Sequence, residues 1–365
     1  MNEDFLRRKL NQRRESSAFR ELGRTKGVVD FCSNDYLGIV TNNLLKVPHD
    51  EGQEKFYGST GSRLISGNYS LIEQAEEQLA RFHNANAALL FNSGYDANLG
   101  LLGSVPQRHD TVLYDELSHA SIRDGIRLSH AYSFSFAHND ADDLEKKLQS
   151  ATGNVFVVTE SIFSMDGDMA PLNQIAALCE LYGANLILDE AHATGVAGVD
   201  GEGVAQTMNV ENKCFARVYT FGKALGCHGA VICGSELLRQ YLINFCRPFI
   251  YSTGMPASAV NAIMMAYSLF PQMKRERAKL AELVRFFRER SDFLRLCKSV
   301  TPIQGVIIPG NEQVKDAAHR LQERGFDVRP ILYPTVPKGM ERLRIVLHSY
   351  NTEEQVSEML GVLGK

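Results

Sequence analysis

Residues 154–188 read NVFVVTESIFSMDGDMAPLNQIAALCELYGANLIL, and this stretch decides the fold class. It begins with the apolar run 154–159 and ends with the apolar run 185–188, both short enough to be buried strands. Between them, residues 171–182 carry apolar side chains at helical spacing. A strand, a helix and a second strand follow one another here within 35 residues.

The same alternation continues on both sides. Short apolar runs at 87–91, 111–114, 216–220 and 230–233 are predicted strands, and residues 71–82 and 141–149 have helical spacing. Alternation of this kind predicts an α/β domain with a mostly parallel sheet.

The pattern changes after Pro256. Residues 257–290 read as one long or broken helical stretch. Short strands at 299–309, 327–331 and 342–347 follow, with helices at 312–324 and 352–363. We therefore predict a helical segment and arm over residues 1–45, a large α/β domain over 46–258, and a smaller α+β domain over 259–365.

Composition and charge argue against several classes of protein. The 365-residue chain is 44% hydrophobic and 22% charged, which is typical of a globular protein. Its net charge of -4 gives no electrostatic signature of a nucleic-acid partner. Seven scattered cysteines without a C-x-x-C pair favour a reducing compartment, and no histidine–cysteine spacing indicates a metal site.

The first fifteen residues, MNEDFLRRKLNQRRE, predict an amphipathic helix. They lack the apolar run of a signal peptide. No stretch of the chain approaches the roughly 18 uninterrupted apolar residues that a membrane span needs. We therefore expect a cytoplasmic protein without a membrane partner.

Unusual polar residues follow three of the predicted strands, at the edge where ligands bind in open α/β sheets. The first group is Asn92-Ser93-Gly94-Tyr95, which leads from a strand into a helix. Free backbone N–H groups and the helix dipole at such a turn suit a phosphate group. Taken alone, the turn favours a simpler interpretation, a helix N-cap by Asn92 or Ser93.

The second group is Asp189-Glu190-Ala191-His192, directly after the strand 185–188. The spelling D-E-A-H is that of helicases, but those enzymes also need the phosphate loop G-x-x-x-x-G-K-[ST], which this chain lacks. An acid here also serves to hold positive charge on a heterocyclic nitrogen, as the aspartate partner of a pyridoxal-5'-phosphate (PLP) ring does. Surface-loop polarity is the remaining alternative.

The third group is Phe221-Gly222-Lys223, shortly after the strand 216–220. A partly desolvated lysine loses proton affinity and becomes a nucleophile for carbonyl groups. A lone lysine in a loop is ordinarily solvated. The combination of a phosphate-type turn, an acid and a lysine, in this order, is what favours a PLP site.

Two other motifs have ligand-binding character. His119 lies in the motif SHAS, where it can stack on a flat ring or simply begin a helix. Residues 58–63, GSTGSR, form a glycine-rich loop that either approaches a ligand or connects two elements.

Together these motifs resemble the α-oxoamine synthases, a PLP-dependent family of fold type I. The resemblance covers nearly the whole chain, from residues 31–38 to Arg344. The order of the motifs is highly specific: SNDYLG at 33–38, GSTGSR at 58–63, SHAS at 118–121, FSMDGD at 163–168, DEAHATG at 189–195 and TFGK at 220–223. The resemblance implies a large domain with a mostly parallel, seven-stranded type of sheet and a smaller C-terminal α+β domain.

The resemblance also implies a role for each candidate residue. Lys223 would hold PLP as a Schiff base, Asp189 would pair with the ring nitrogen, and His119 would stack on the ring. The residues implied in catalysis are Lys223, His119, Asp189 and His192. Those implied to hold the cofactor are Ser93, Gly94, Tyr95, His119, Ser164, Asp189, His192, Thr220, Lys223 and, from the neighbouring subunit, Thr253. Asn34 and Arg344 are implied to bind the substrate carboxylate, and no metal is implied.

Within the family, residues 136–140 (FAHND), 220–223 (TFGK) and 250–256 (IYSTGMP) are most similar to those of the member in biotin biosynthesis. This implies a decarboxylative Claisen condensation of L-alanine with a pimeloyl thioester, carried by coenzyme A or a carrier protein. The enzyme would be a homodimer with shared active sites.

Other interpretations stay open. One is another family member, such as a 2-amino-3-ketobutyrate CoA ligase using glycine and acetyl-CoA, and another is a PLP-free binding scaffold. Two departures from the family pattern, His228 and residues 47–56, concern the entrance for the acyl substrate.

Overall fold

The computed structural model describes residues 3–22, 28–46 and 55–364. The chain divides into two compact units. The large unit consists of Leu37–Ser164 and Met169–Arg277. The small unit consists of Met1–Tyr36, Met165–Asp168 and Ala278–Lys365.

The strands and helices are numbered in chain order. The strands are β1 (Val29–Asp30), β2 (Ala87–Phe91), β3 (Thr111–Asp115), β4 (Tyr132–Phe136), β5 (Val155–Glu160), β6 (Asn185–Asp189), β7 (Cys214–Thr220), β8 (Ala230–Gly234), β9 (Ile303–Ile307), β10 (Phe326–Asp327), β11 (Arg329–Ile331) and β12 (Arg342–Val346). The helices are α1 (Asp4–Glu15), α2 (Ser70–Phe82), α3 (Gly94–Ser104), α4 (Ala120–Ser129), α5 (Ala141–Leu148), α6 (Leu172–Tyr182), α7 (Val204–Thr207), α8 (Glu236–Phe245), α9 (Arg247–Ile250), α10 (Ala257–Leu269), α11 (Lys274–Glu289), α12 (Asn311–Glu323) and α13 (Glu353–Leu363). Among these described helices, none has the length and apolar character needed to span a bilayer.

A mixed sheet forms the core of the large unit. Within the described residues it has seven strands in the order β2-β8-β7-β6-β5-β3-β4. All neighbours are parallel except β8, which is antiparallel to both β2 and β7. The predicted mostly parallel sheet is therefore confirmed.

The sheet and its helices share one apolar core. Leu101 of α3, Ile126 of α4 and Leu238 of α8 belong to the same buried cluster as Val158 and Val218 of the sheet. Complete burial of each such side chain stabilises the fold by about 1.5–3 kcal/mol. The amphipathic spacing of the helices and the apolar runs of the strands thus meet in a single core.

The edge strand β4 is not predicted by the sequence. Tyr132 and Phe134 are 52% and 55% exposed, and the serines between and after them are exposed as well. Because only its last residue is buried, β4 lacks the continuous apolar run by which buried strands are recognised.

Strand direction determines where the polar strand exits meet. Parallel strands end at the same edge of a sheet, and β2 runs parallel to β7 because β8 is antiparallel to both. The carboxyl ends of β2, β3, β5, β6 and β7 therefore lie along one edge. The three polar groups found in the sequence follow β2, β6 and β7, so the fold brings them to this edge.

The small unit has its own sheets. Strands β11, β12 and β9 form an antiparallel sheet, and β1 pairs with β10 in parallel, with Val29 opposite Phe326. Residues 1–36 belong to the small unit, and the pairing of β1 with β10 is one of the contacts that join them to it.

The division into units differs from the predicted domain boundaries. Helix α10 belongs to the large unit, where it packs on α2, so the division falls after Arg277 and not at residue 259. The predicted arm over residues 1–45 is split, with residues 1–36 in the small unit and 37–45 in the large one. Periodicity locates helices along a chain, but it does not show which core they pack against.

Four residues of the FSMDGD motif, Met165–Asp168, belong to the small unit. Arg342, whose side chain is buried, forms an ion pair with Asp166. The hydroxyl groups of Ser299 and Thr301 both donate to the carbonyl oxygen of Gly167, at 2.8 Å each. The motif therefore has a packing role inside the small unit that its sequence pattern does not indicate.

Candidate active site

Lys223 lies in the loop of residues 221–229 between β7 and β8. The backbone N–H of Gly226 donates to the carbonyl oxygen of Lys223 at 2.9 Å, and that of Cys227 donates to Phe221 at 2.8 Å. Phe221 is fully buried, and Gly226 has a φ of 62°, a conformation that glycine adopts without strain. The turn thus holds the backbone of Lys223 in place while its side chain remains half-buried.

Asp189 is the last residue of β6 and is 6% exposed. Its Oδ1 accepts a hydrogen bond from the backbone N–H of Ala191 at 2.8 Å, and its Oδ2 accepts one from Asn98 Nδ2 at 2.7 Å. Two N–H donors therefore orient one carboxylate at the edge of the sheet. This is the arrangement required of a group that balances a positive charge on a ligand.

The sequence pattern does not single out Asn98. It lies on α3 and is 3% exposed, with its side-chain nitrogen also 3.1 Å from Ser121 Oγ. Ser121 Oγ in turn lies 2.8 Å from His119 Nδ1. Hydrogen bonds thus connect Asp189 to His119 through Asn98 and Ser121. The only signal in the sequence is an amide within the otherwise apolar run 97–102 of α3.

His119 is the N-cap residue of α4, so one of its two alternative interpretations, the start of a helix, is confirmed. Its side chain accepts from the backbone N–H of Ser121 at 3.2 Å. Although the residue is exposed, desolvation by the protein around the ring lowers the pKa of His119, and Lys223 lowers it further, while Asp189 opposes both. A neutral ring that is open to solvent suits stacking against a planar ligand.

Glu160, at the end of β5, is a second residue that the sequence pattern does not single out. It is 3% exposed, and its Oε1 accepts a hydrogen bond from the backbone N–H of His119 at 2.7 Å. Burial raises the pKa of Glu160 to about 8, and the charge of Asp189 contributes to the rise. Its position directly after an apolar strand, like that of Asp189, is the signal by which it is recognisable.

Glu160 makes stability depend on pH in a defined direction. Its carboxyl holds a proton in the folded chain up to about pH 8, whereas in the unfolded chain it loses the proton near 4.5, the ordinary pKa of a glutamate. The resulting stabilisation is complete below about pH 4.5 and is lost as the pH rises through 8. We expect a Glu160→Gln variant, which stays neutral, to lose less stability than the wild type over this interval.

The measurement is the free energy of unfolding by urea at several pH values between 5 and 9. The difference between wild type and Glu160→Gln should change with a slope of up to about 1.4 kcal/mol per pH unit. Glu312→Gln, on the exposed first turn of α12, is the control for the amide substitution. Parallel pH curves for wild type and Glu160→Gln would contradict the expectation.

The turn after β2 is built as a helix N-terminus. Ser93 is the N-cap of α3, and its Oγ accepts from the backbone N–H of Asp96 at 3.0 Å. By helix geometry, the N–H groups of Gly94 and Tyr95 have no acceptor within the helix. The N-cap interpretation of Ser93 is therefore confirmed, and the same turn presents donors suited to an anion.

Thr220 lies against this helix N-terminus. A Cβ atom added to Gly94 would overlap Thr220 Cγ2, so the two residues are in close contact. Thr220 Oγ1 is buried, and among the described residues it has no hydrogen-bond partner. A buried hydroxyl without a partner is rare in folded proteins, because the lost hydrogen bonds to water are not replaced. A ligand oxygen between Thr220 and the start of α3 would satisfy it.

A comparison with known families identifies the type of protein. The family model for aminotransferase class I and II matches residues 26–363. The chain belongs to this family.

Individual members agree with this assignment. An 8-amino-7-oxononanoate synthase from Emericella nidulans is 39% identical over 389 residues, covering 99% of this chain and 94% of the relative. A serine palmitoyltransferase structure from S. paucimobilis with bound PLP–myriocin has a TM-score of 0.88 at 25% identity, covering 99% of this chain and 96% of that one. An 8-amino-7-oxononanoate synthase structure from Francisella tularensis has a TM-score of 0.81 at 31% identity, covering 92% and 97%. The resemblance and the fold type expected from the motifs are therefore confirmed.

Because the chain belongs to the aminotransferase class I and II family, its DEAH motif has a different role from that in helicases. Glu190 is fully buried, and its carboxylate accepts from the backbone N–H groups of Val204 at 3.1 Å and Ala205 at 2.6 Å, at the start of α7. Ser161 Oγ also donates to Glu190 at 2.8 Å. Glu190 thus anchors a helix, while its neighbour Asp189 faces the site.

The remaining predicted cofactor residues of this family member lie in the large unit. His192 is 5% exposed and Ser164 is half-buried. Thr253 is exposed, and its carbonyl oxygen accepts from Asn92 Nδ2 at 3.0 Å, next to the start of α3. Their roles toward a cofactor stay predictions.

The two predicted carboxylate-binding residues meet in the small unit. Arg344 Nη2 donates to Asn34 Oδ1 at 2.9 Å. The structure thus brings together two residues 310 positions apart in the chain, while their role toward substrate stays a prediction. His228 is exposed, and most of the segment 47–56 lies outside the described residues.

Proposed function

We propose that this chain is a PLP-dependent C-acyltransferase that condenses L-alanine with a pimeloyl thioester. The products are 8-amino-7-oxononanoate, CO2 and the free thiol carrier. The observation that carries the proposal is the 39% identity over nearly the whole length to an enzyme named for this product. The lysine, aspartate and anion-binding turn at one sheet edge supply the chemistry that such an enzyme needs.

The residues at this edge fit PLP. Lys223 offers an amine for the aldehyde, and Asp189 offers an oriented carboxylate for the ring nitrogen. The unpartnered hydroxyl of Thr220 and the N–H groups of Gly94 and Tyr95 suit the phosphate.

When bound, PLP supplies the electron sink that stabilises a carbanion at the Cα of the amino acid. Lys223 would hold the cofactor and, once displaced by alanine, would take the Cα proton and later return it. Asp189 would keep positive charge on the ring nitrogen, and His119 would cover one face of the ring. Neutral Glu160 holds the backbone of His119 without adding a second negative charge beside Asp189.

The proposed binding of the PLP phosphate at the start of α3 leads to a prediction about Gly94. In a Gly94→Ala variant the new Cβ overlaps Thr220 Cγ2, so we expect PLP to bind about tenfold or more weakly. Adding Thr220→Ser removes that methyl group and keeps the hydroxyl, so the double variant should recover most of the affinity. Absorbance titration of the cofactor-free proteins measures the dissociation constants. Equal losses in the single and double variants would contradict this explanation.

We also propose a homodimer, formed through an exposed surface next to the phosphate end of the site. Backbone hydrogen bonds tie the segment after residue 55 to the segment before α10, from Gly254 N to Gly61 O and from Ala257 N to Lys55 O, both at 2.9 Å. Three large side chains on these segments are highly exposed: Tyr57 (78%), Ile65 (85%) and Tyr251 (73%). Apolar groups exposed together in this way are typical of interfaces.

Light scattering coupled to gel filtration tests the dimer. The wild type should elute at twice the mass of the 40.6 kDa chain, and Ile65→Glu should shift the mass toward the monomer. Leu237→Glu, an equally drastic change on the exposed side of α8, is the control and should leave the dimer intact. A wild type that remains monomeric at micromolar concentration would contradict the dimer.

The reaction itself is tested by supplying alternative substrates to the purified protein. L-alanine or glycine is combined with pimeloyl-coenzyme A, a pimeloyl carrier protein or acetyl-coenzyme A, and the products are identified by mass spectrometry. We expect 8-amino-7-oxononanoate from alanine with a pimeloyl thioester. Thiol release only from glycine with acetyl-coenzyme A would instead identify a 2-amino-3-ketobutyrate ligase.

A further inference from the structure

We infer that Asn98 is a positioning residue that sets the direction of hydrogen bonding between Asp189 and His119, the two side chains proposed to contact the cofactor ring. The assignment of these two residues to the ring rests on the proposed function. The direction of the hydrogen bonds does not, because it follows from the protein atoms alone.

The orientation of the Asn98 amide is determined by its partners. Asp189 Oδ2 already receives a hydrogen bond at 2.7 Å and, as a carboxylate oxygen, has nothing to donate. The nitrogen of the Asn98 amide must therefore face Asp189. Its second hydrogen points to Ser121 Oγ at 3.1 Å, so both amide hydrogens are used.

The same direction of hydrogen-bond donation continues from Ser121 to His119. Ser121 Oγ accepts from Asn98, so its own hydrogen is available for His119 Nδ1 at 2.8 Å. The backbone N–H of Ser121 also donates to Nδ1, at 3.2 Å. Because Nδ1 accepts, it carries no proton, and the proton of a neutral ring must be on Nε2. Hydrogen bonds thus run outward from Asn98, to Asp189 on one side and to His119 on the other.

This arrangement has a consequence for the site. Asn98 cannot accept a proton from Asp189 or pass one to it, so the carboxylate is kept as an acceptor that faces the ring nitrogen. His119 is held as a neutral Nε2–H ring and does not compete with the cofactor for the negative charge of Asp189. An aspartate at position 98 would reverse this pattern, because it offers acceptors where the amide offers two donors.

The experiment combines cofactor affinity with the tautomer of His119. Long-range nitrogen–proton NMR on protein labelled with ¹⁵N-histidine reads the tautomer, with His119→Gln identifying the signal. PLP dissociation constants come from absorbance titration of the cofactor-free proteins. The variants are Asn98→Ala, Asn98→Asp and Ser121→Ala. The matched control is Asn244→Asp, on the exposed face of α8, where the amide contacts only the carbonyl of Gln240 among the contacts described.

The wild type should show His119 protonated on Nε2 in the absence of cofactor. Both Asn98 variants should bind PLP on the order of tenfold to hundredfold more weakly, since a hydrogen bond to a charged group is lost. Ser121→Ala should leave His119 protonated on Nε2, because the backbone N–H of residue 121 still donates to Nδ1, and should reduce PLP affinity less than the Asn98 variants do. Asn244→Asp should match the wild type in both readouts.

A wild-type His119 protonated on Nδ1 would overturn the inference, as would Asn98 variants with unchanged PLP affinity. Should the Asn98 variants fail to fold, the wild-type tautomer still decides the direction of the hydrogen bonds to His119. Wild-type protein that takes up no PLP would overturn the proposed function, and the tautomer would remain as the test of the inference.

Discussion

Lys223→Ala is expected to abolish turnover of L-alanine, with a loss of about 10⁴-fold or more. The amine would both hold the cofactor and carry the Cα proton, so one substitution removes the covalent anchor and the general base together. The hydrogen bond from the backbone N–H of Gly226 to the carbonyl of residue 223 is kept in the variant, because it involves the main chain. The variant should therefore fold normally.

Three measurements check this expectation. The wild type incubated with PLP should show a visible absorbance band that borohydride removes, and mass mapping should locate the reduced adduct on the peptide containing Lys223. Lys223→Ala should show neither the band nor the adduct. Lys213→Ala, which removes an exposed lysine paired with Glu180, is the control and should retain full activity. An adduct on another lysine, or normal turnover by Lys223→Ala, would refute the assignment.

Asp189→Asn should have the second-largest effect, a loss of turnover on the order of 10³-fold. The amide is nearly the same shape as the carboxylate but carries no charge to balance the ring nitrogen. It also cannot accept from both Asn98 Nδ2 and the N–H of Ala191, since one of its two positions is now a donor. A loss of this size corresponds to about 4 kcal/mol of transition-state stabilisation.

Measuring both the reaction rate and the free energy of unfolding of Asp189→Asn separates an effect on catalysis from an effect on folding. We expect the reaction rate to fall far more than cofactor-free stability, and the visible band of bound PLP to change because the ring nitrogen has lost its partner. Asp200→Asn is the control, since Asp200 is exposed and its carboxylate forms an ion pair with Lys274, away from the candidate site. Asp189→Asn with a wild-type rate would show that no charged ring nitrogen faces β6.

Both predictions concern residues that the sequence itself indicates, for a physical reason. Lys223 and Asp189 follow buried strands, and the ends of parallel strands meet at one edge of the sheet whatever the details of packing. The strand before Asp189 is recognisable because burial on both faces requires an apolar run, here Leu186–Leu188. The strand before Lys223 is also mostly apolar, although Arg217 interrupts it. The strand, the point where it ends and the polar residue next to it can therefore all be recognised from one short stretch of sequence.

Asn98, Ser121 and Glu160 are different. Each is an ordinary polar residue within its own segment. It becomes part of the site only because the first halves of α3 and α4 and the end of β5 lie beside the end of β6. The unsatisfied hydroxyl of Thr220 is likewise visible only once Gly94 is seen against it. No spacing rule predicts these contacts, since the residues involved lie between 23 and 126 positions apart.

By itself, the sequence determined the α/β class, most strand and helix positions, the family, and the lysine and aspartate on which the chemistry depends. These follow from local apolar periodicity and from motifs whose residues are close in the chain. Only the tertiary structure decided which unit residues 1–36 and 165–168 belong to, and how Asp189 and His119 are held. Those properties depend on which distant segments pack together, and packing is a property of the whole chain and not of any one stretch.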